Sequence, residues 1–182
     1  PPDHMAETVR LAAGTGLVGC SIEDATGEAA RPLYAFDKAL ARIEAAVKAA
    51  RALPFPFTLT ARTENYLRGN PSLDDTLRRL KPFEAAGADV LMAPGLPDLA
   101  AVKAVCSALT KPVNFMAGIK GRSFSVAELA AAGVRRISLA TSLYRAAMTG
   151  LIEAAREAKD KGTLGYIETS IPTPEINAFM QG

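Results

Sequence analysis

Five short apolar runs, at 17–22, 57–61, 89–93, 112–116 and 135–140, alternate along the chain with longer amphipathic, alanine-rich stretches. The short runs lack strict alternation of apolar and polar residues, which predicts strands buried on both faces. The longer stretches, at 3–14, 37–52, 72–86, 97–109, 125–132 and 142–161, carry helical periodicity. Helices between such strands predict βαβ units and a parallel sheet. Ala12-Ala13-Gly14, Ala85-Ala86-Gly87 and Ala131-Ala132-Gly133 each close a helix on glycine, the residue suited to a left-handed helix exit. Pro54, Pro56 and Pro112 introduce the second and fourth strands, because proline cannot continue a helix. Ser125 with Glu128 forms a capping box, and Ser72 with Asp74 and Asp75 marks another helix start. Pro82 lies inside the 72–86 pattern and predicts a kink or break near Leu80–Lys81. A loop is expected over 162–171 and a short terminal helix over 174–180.

The pattern amounts to five β/α units in one domain, 1–182, with no internal linker. A complete (β/α)₈ barrel needs about 250 residues, so the chain is about three units short. It opens with Pro1-Pro2-Asp3, without an initiator Met, directly into a helix. Two architectures satisfy this: an open five-stranded sheet, or the last five units of a barrel whose N-terminal strands are missing.

Composition excludes several functions. The 182 residues are 49% hydrophobic with a net charge of +2, the balance of an ordinary globular domain. Charges of both signs are interspersed and there is no Trp, which argues against a nucleic-acid surface. No apolar run approaches the roughly 20 residues of a membrane span, and no signal peptide is visible. Cys20 and Cys106 both sit in apolar segments and read as reduced thiols, which suits the cytoplasm. The single histidine, His4, reads as a surface residue, so no Ser-His-Asp triad is available. No glycine-rich nucleotide loop occurs.

Parallel α/β sheets present ligand-binding groups at the carboxyl ends of their strands. There the first run ends in Glu23-Asp24, hard oxygen ligands suited to Mg²⁺ directly or through water. The second ends in Arg62, placed to bind an anionic group bidentately or to form a structural pair with Glu23 or Glu64. The fourth offers Asn114 and then the basic loop 118–123, read as solvated. An acid pair with an arginine suggests a divalent cation and an anionic substrate held between cation and guanidinium.

Gly-Leu-Val-Gly-Cys-Ser-Ile-Glu-Asp, Leu-Thr-Ala-Arg-Thr-Glu-Asn, Ala-Gly-Ala-Asp-Val-Leu and Lys-Pro-Val-Asn occur in this order. Together they resemble the isocitrate lyase / phosphoenolpyruvate mutase superfamily over nearly the whole chain. The resemblance implies a (β/α)₈ barrel, here its last five β/α units. It implies a Mg²⁺-dependent lyase or isomerase that cleaves or rearranges a C–C or P–C bond in a small 2-oxo acid. By the same match Glu23 holds Mg²⁺ through a water, Arg62 binds substrate, and Asn114 is a further substrate-binding position. A homo-oligomer is implied, with the helix at 142–161 exchanged between subunits.

Three departures narrow the resemblance. The family's other metal carboxylates and its Ser-Gly substrate loop would precede Pro1. The loop after Glu23-Asp24, at 25–32, has neither Cys nor His, which argues against isocitrate cleavage. Pro94-Gly95 stands where lyases and mutases carry Glu or His, which also argues against a standard phosphonate. The implied substrate is a small 2-oxo acid of the oxaloacetate, phosphonopyruvate or phosphoenolpyruvate kind. The competing expectation is a catalytically incompetent truncated barrel that serves as an assembly module through its exposed sheet edges.

Overall fold

The computed structural model describes residues 2–181. They form two compact units, one ending at Ala140 and one beginning at Thr141. The first unit alternates helix and strand: α1 (Pro2–Gly14), β1 (Gly19–Glu23), α2 (Phe36–Arg51), β2 (Thr58–Arg62), α3 (Leu73–Ala85), β3 (Val90–Met92), α4 (Leu99–Ala108), β4 (Val113–Met116), α5 (Val126–Ala131) and β5 (Arg136–Ser138). All strand pairings are parallel and the strand order is β1-β2-β3-β4-β5. Sequential order distinguishes this sheet from a doubly wound one, whose order reverses at a switch point. It is the order of successive strands in a barrel wall.

Alternation along each strand divides the sheet into two faces. Ile22, Ala61, Leu91 and Val113 share one register row, and all are buried among the helices with Leu80, Phe83 and Val102. The opposite face carries Ser21, Thr60 and Val90 in one row, and Glu23, Arg62, Met92, Asn114 and Arg136 in the next. Helices cover one face, and Thr60, Val90, Met92 and Asn114 are buried on the other, so the central apolar runs are buried on both faces as expected. They lack alternation because the second face also holds Val90, Met92 and Met116.

Most local signals act as expected, but Gly14 ends α1 inside the helix without left-handed backbone, and Gly16 takes that conformation instead, with φ of 88°. Ser72, Asp98 and Ser125 cap α3, α4 and α5 through their side chains, and Ser125–Glu128 completes the capping box. Gly87 and Gly133 take left-handed backbone at the exits of α3 and α5, with φ of 103° and 99°.

The break expected at Pro82 does not occur: α3 runs through it to Ala85. Leu80 and Phe83, on either side, are fully buried, and their packing outweighs the lost backbone hydrogen bond.

The second unit holds α6 (Ser142–Arg156), a π-helical turn at Glu157–Lys161, a 3₁₀ turn at Gly165–Thr169 and α7 (Thr173–Ala178). The predicted helix over 142–161 is thus α-helical only to Arg156, and the predicted loop contains a 3₁₀ turn. No helix among the described residues is long and apolar enough to cross a membrane.

Phe83 is the largest fully buried side chain. Phe83→Ala is expected to cost about 3–5 kcal/mol of stability, read from urea unfolding of the variant against the parent.

Candidate functional site

The carboxyl ends of β1 and β2 are locked together by one buried carboxylate. The Asp24 backbone N–H donates to the Arg62 carbonyl at 3.1 Å, extending the ladder one residue past β1. Its side chain, 2% exposed, receives three donors: Thr63 Oγ1 at 2.8 Å, the Glu64 N–H at 2.8 Å and Arg79 Nη1 at 3.1 Å. Burial pushes the Asp24 carboxyl above the usual range, and these donors oppose the shift. Arg79 reaches this point because α3 packs behind β2, and its Nε donates to Asp75 at 3.1 Å.

The same cluster closes the loop after β1. Tyr34 N–H donates to the Asp24 carbonyl at 2.9 Å, and Arg79 donates to the Tyr34 carbonyl at 3.2 Å. Ala25 and Leu33 form an antiparallel bridge within it. Arg42, from α2, stacks 4.3 Å over the Tyr34 ring and donates to the Glu23 carbonyl at 3.4 Å. Asp24 thus shapes the loop base and leaves Glu23 to face the open side of the sheet.

The register brings Glu23, Arg62 and Asn114 into one row across β1, β2 and β4. Arg62 Nε pairs with Glu64, whose side chain is 1% exposed, and lies 3.6 Å from Glu23 Oε2. The structural pair weighed from the sequence is therefore present, and Arg62 still lines the cavity. Asn114 is buried with both amide atoms engaged: Oδ1 accepts from Arg136 Nη1 at 2.8 Å, and Nδ2 donates to Ser138 Oγ at 3.0 Å. On the open face a cavity of about 580 Å³ is lined by Arg62, Arg136, Thr60, Met92, Met116 and Ser138 among others.

Sequence reasoning missed Arg79 and Arg136. Arg136 was detectable in principle, since period-2 spacing puts it on the same face as Ser138 at a strand position level with Asn114.

The loop after β3 admits only glycine at position 95. Its φ is 89°, and a Cβ there would lie 2.8 Å from Leu67 Cδ2 and 3.2 Å from Tyr66 Cβ. The Gly95 carbonyl accepts a hydrogen bond from Arg122, so the basic loop after β4 is anchored rather than fully solvated. Phe124 packs against Phe115 with ring centres 5.7 Å apart and the rings tilted by 59°.

The donor set for a cation is small. No group of three His, Cys, Asp or Glu side chains suited to a metal occurs among the described residues. Asp24 is saturated by its donors and Glu64 is taken by Arg62, leaving Glu23 as one accessible carboxylate on this face. These residues alone do not make a Mg²⁺ site.

A sheet of sequential parallel strands, helices on one face and polar groups at the carboxyl ends defines a barrel-type α/β protein. The phosphoenolpyruvate phosphomutase family matches residues 1–159, and the chain belongs to it. The chain is 31% identical over 166 residues to an oxaloacetate decarboxylase of Paraburkholderia xenovorans (strain LB400), covering 88% of this chain and 54% of that enzyme. The structure matches a protein of Burkholderia cenocepacia J2315 provisionally classed as a lyase/mutase, at TM-score 0.95 and 51% identity, over 100% of this chain and 65% of that one. It also matches an oxaloacetate acetylhydrolase in complex with its product oxalate, at TM-score 0.81 and 25% identity, over 97% and 62% of the two chains. The chain spans about half the length of the curated relatives it matches. The expected barrel-family fold and superfamily are therefore correct.

Asp75 gives a pH test of the cluster. Burial raises its pKa, but hydrogen bonds from Arg78 and Arg79 outweigh that and hold it below the ordinary value. A depressed carboxyl stabilises the fold above its unfolded pKa of about 3.9, and that stability is lost as pH falls through the native value. Asp75→Asn is expected to cost about 1–3 kcal/mol at pH 7, with the difference from the parent shrinking as pH falls below the ordinary carboxylate range, followed by urea unfolding across pH.

Proposed function

We propose that this chain carries the substrate-gripping half of a lyase or mutase acting on a small 2-oxo acid of the oxaloacetate, phosphonopyruvate or phosphoenolpyruvate kind. The observation that carries the reading is the Glu23–Arg62 register pair, 3.6 Å apart, at the carboxyl end of the open sheet face. The oxaloacetate enzymes among the relatives favour a substrate with a carboxylate next to a carbonyl.

Arg62, oriented by Glu64, holds the substrate's anionic end. Cleavage alpha to the carbonyl leaves the electron pair in an enolate, and a fixed guanidinium beside its oxygen stabilises that charge. Glu23 holds a water beside the substrate. Mg²⁺ belongs to this reading as the ion that water would serve, and when bound it polarises the carbonyl as a Lewis acid. Cytoplasmic residence is part of the reading, supported by the two free, partly buried thiols Cys20 and Cys106.

In the whole protein, Arg62→Ala is expected to lower oxaloacetate turnover at least about a hundredfold, and Glu23→Gln about tenfold or more. Unchanged turnover in both variants would overturn the assignment.

A second part of the reading concerns assembly. Leu143, Tyr144, Leu151 and Ile152 of α6 are exposed apolar residues at helical spacing. We infer that this stripe is a contact between subunits, by exchange of the helix. Light scattering of the whole protein at micromolar concentration is expected to give a multiple of the chain mass. A monomer would contradict the inference.

A further inference from the structure

The cavity on the open sheet face holds two guanidiniums in unlike electrostatic states. Arg62 is paired with buried Glu64 and lies near Glu23. Among the described residues no carboxylate lies within ion-pair distance of Arg136. Its Nη1 donates to Asn114, which leaves most of its donor fork directed elsewhere. Arg136 is exposed, yet it lines the cavity beside Val90, Met92 and Met116. An exposed guanidinium at the wall of a cavity, with Asn114 as its neutral hydrogen-bond partner and no carboxylate beside it among the described residues, attracts an anion.

Asn114 gives this arrangement a fixed geometry. It is 1% exposed, so its amide cannot turn towards solvent. Ser138 Oγ holds its Nδ2, which keeps Oδ1 facing Arg136. The register sets Arg136 in the same row as Arg62, three strands away. At about 4.8 Å per strand their backbones are roughly 14 Å apart along the sheet, and both side chains extend into the intervening cavity.

We propose that Arg136 is the second anion-binding group of the site, held by Asn114, and that it receives the carboxylate of the substrate that Arg62 does not. This selects a dianion over a monoanion. It rests on the proposed function, and it makes Asn114 a positioning residue that acts through Arg136.

Oxalate is a suitable probe, being a small dianion. Calorimetric titration of oxalate into the whole protein, with excess Mg²⁺, is expected to show saturable binding that weakens as salt rises. Arg136→Gln is expected to weaken it about tenfold to a hundredfold, and Arg136→Lys by less, since the charge stays but the planar fork is lost. Asn114→Asp places a carboxylate against Arg136 and keeps the Ser138 contact. It is expected to weaken oxalate at least about tenfold while still unfolding cooperatively on heating, and it decides the matter if Arg136→Gln does not fold. Parent-like affinity in both variants, with loss in Arg62→Ala, would overturn this inference and leave the proposed function standing. Absence of oxalate binding by the parent would overturn both.

Discussion

One buried carboxylate sets the geometry on which the site depends. Asp24 stands just past the end of β1 with almost no access to water. A charge in that place is tolerable only where donors surround it. Thr63 and Glu64 supply them from the end of β2, and Arg79 supplies one from α3. The carboxylate therefore ties two neighbouring strand ends to the helix behind them. A pair of this kind adds little net stability against a well-packed apolar substitute, but removing one partner strands the other charge. Its consequence here is orientation: with Asp24 turned inward, Glu23 faces outward beside Arg62.

From that point the open face is ordered by register. Parallel pairing places Glu23, Arg62, Met92, Asn114 and Arg136 in one row. Each polar member is oriented by a neighbour: Glu64 holds Arg62, and Ser138 with Arg136 holds Asn114. A guanidinium held in place before the substrate arrives stabilises developing charge without reorganising. The loop from Asp24 to Tyr34 stands over the same end, and its base is fixed by Arg79 and Arg42. The site thus combines a rigid floor with a loop tied at both ends.

Much of this was legible in the residues. Short apolar runs separated by amphipathic helices imply parallel units, and glycine exits and Ser caps mark their limits. Glu23, Arg62 and Asn114 stand out as polar residues interrupting apolar runs. Arg79 did not, because its partner Asp24 is 55 positions away in sequence and helix arginines usually face solvent. Arg136 escaped notice because only the register with β4 sets it beside Asn114. Pro82 does not break α3, because propensity is local whereas the burial of Leu80 and Phe83 is set by tertiary packing.

Asp24 and Arg79, joined at 3.1 Å, are expected to act as one unit. A double-mutant cycle with Asp24→Asn, Arg79→Met and both together, read by urea unfolding, measures their coupling directly. A coupling of about 1.5 kcal/mol or more is expected, because each single change strands a buried partner. Additivity to within about 0.5 kcal/mol would contradict it, and would mean that the strand ends are positioned by packing alone.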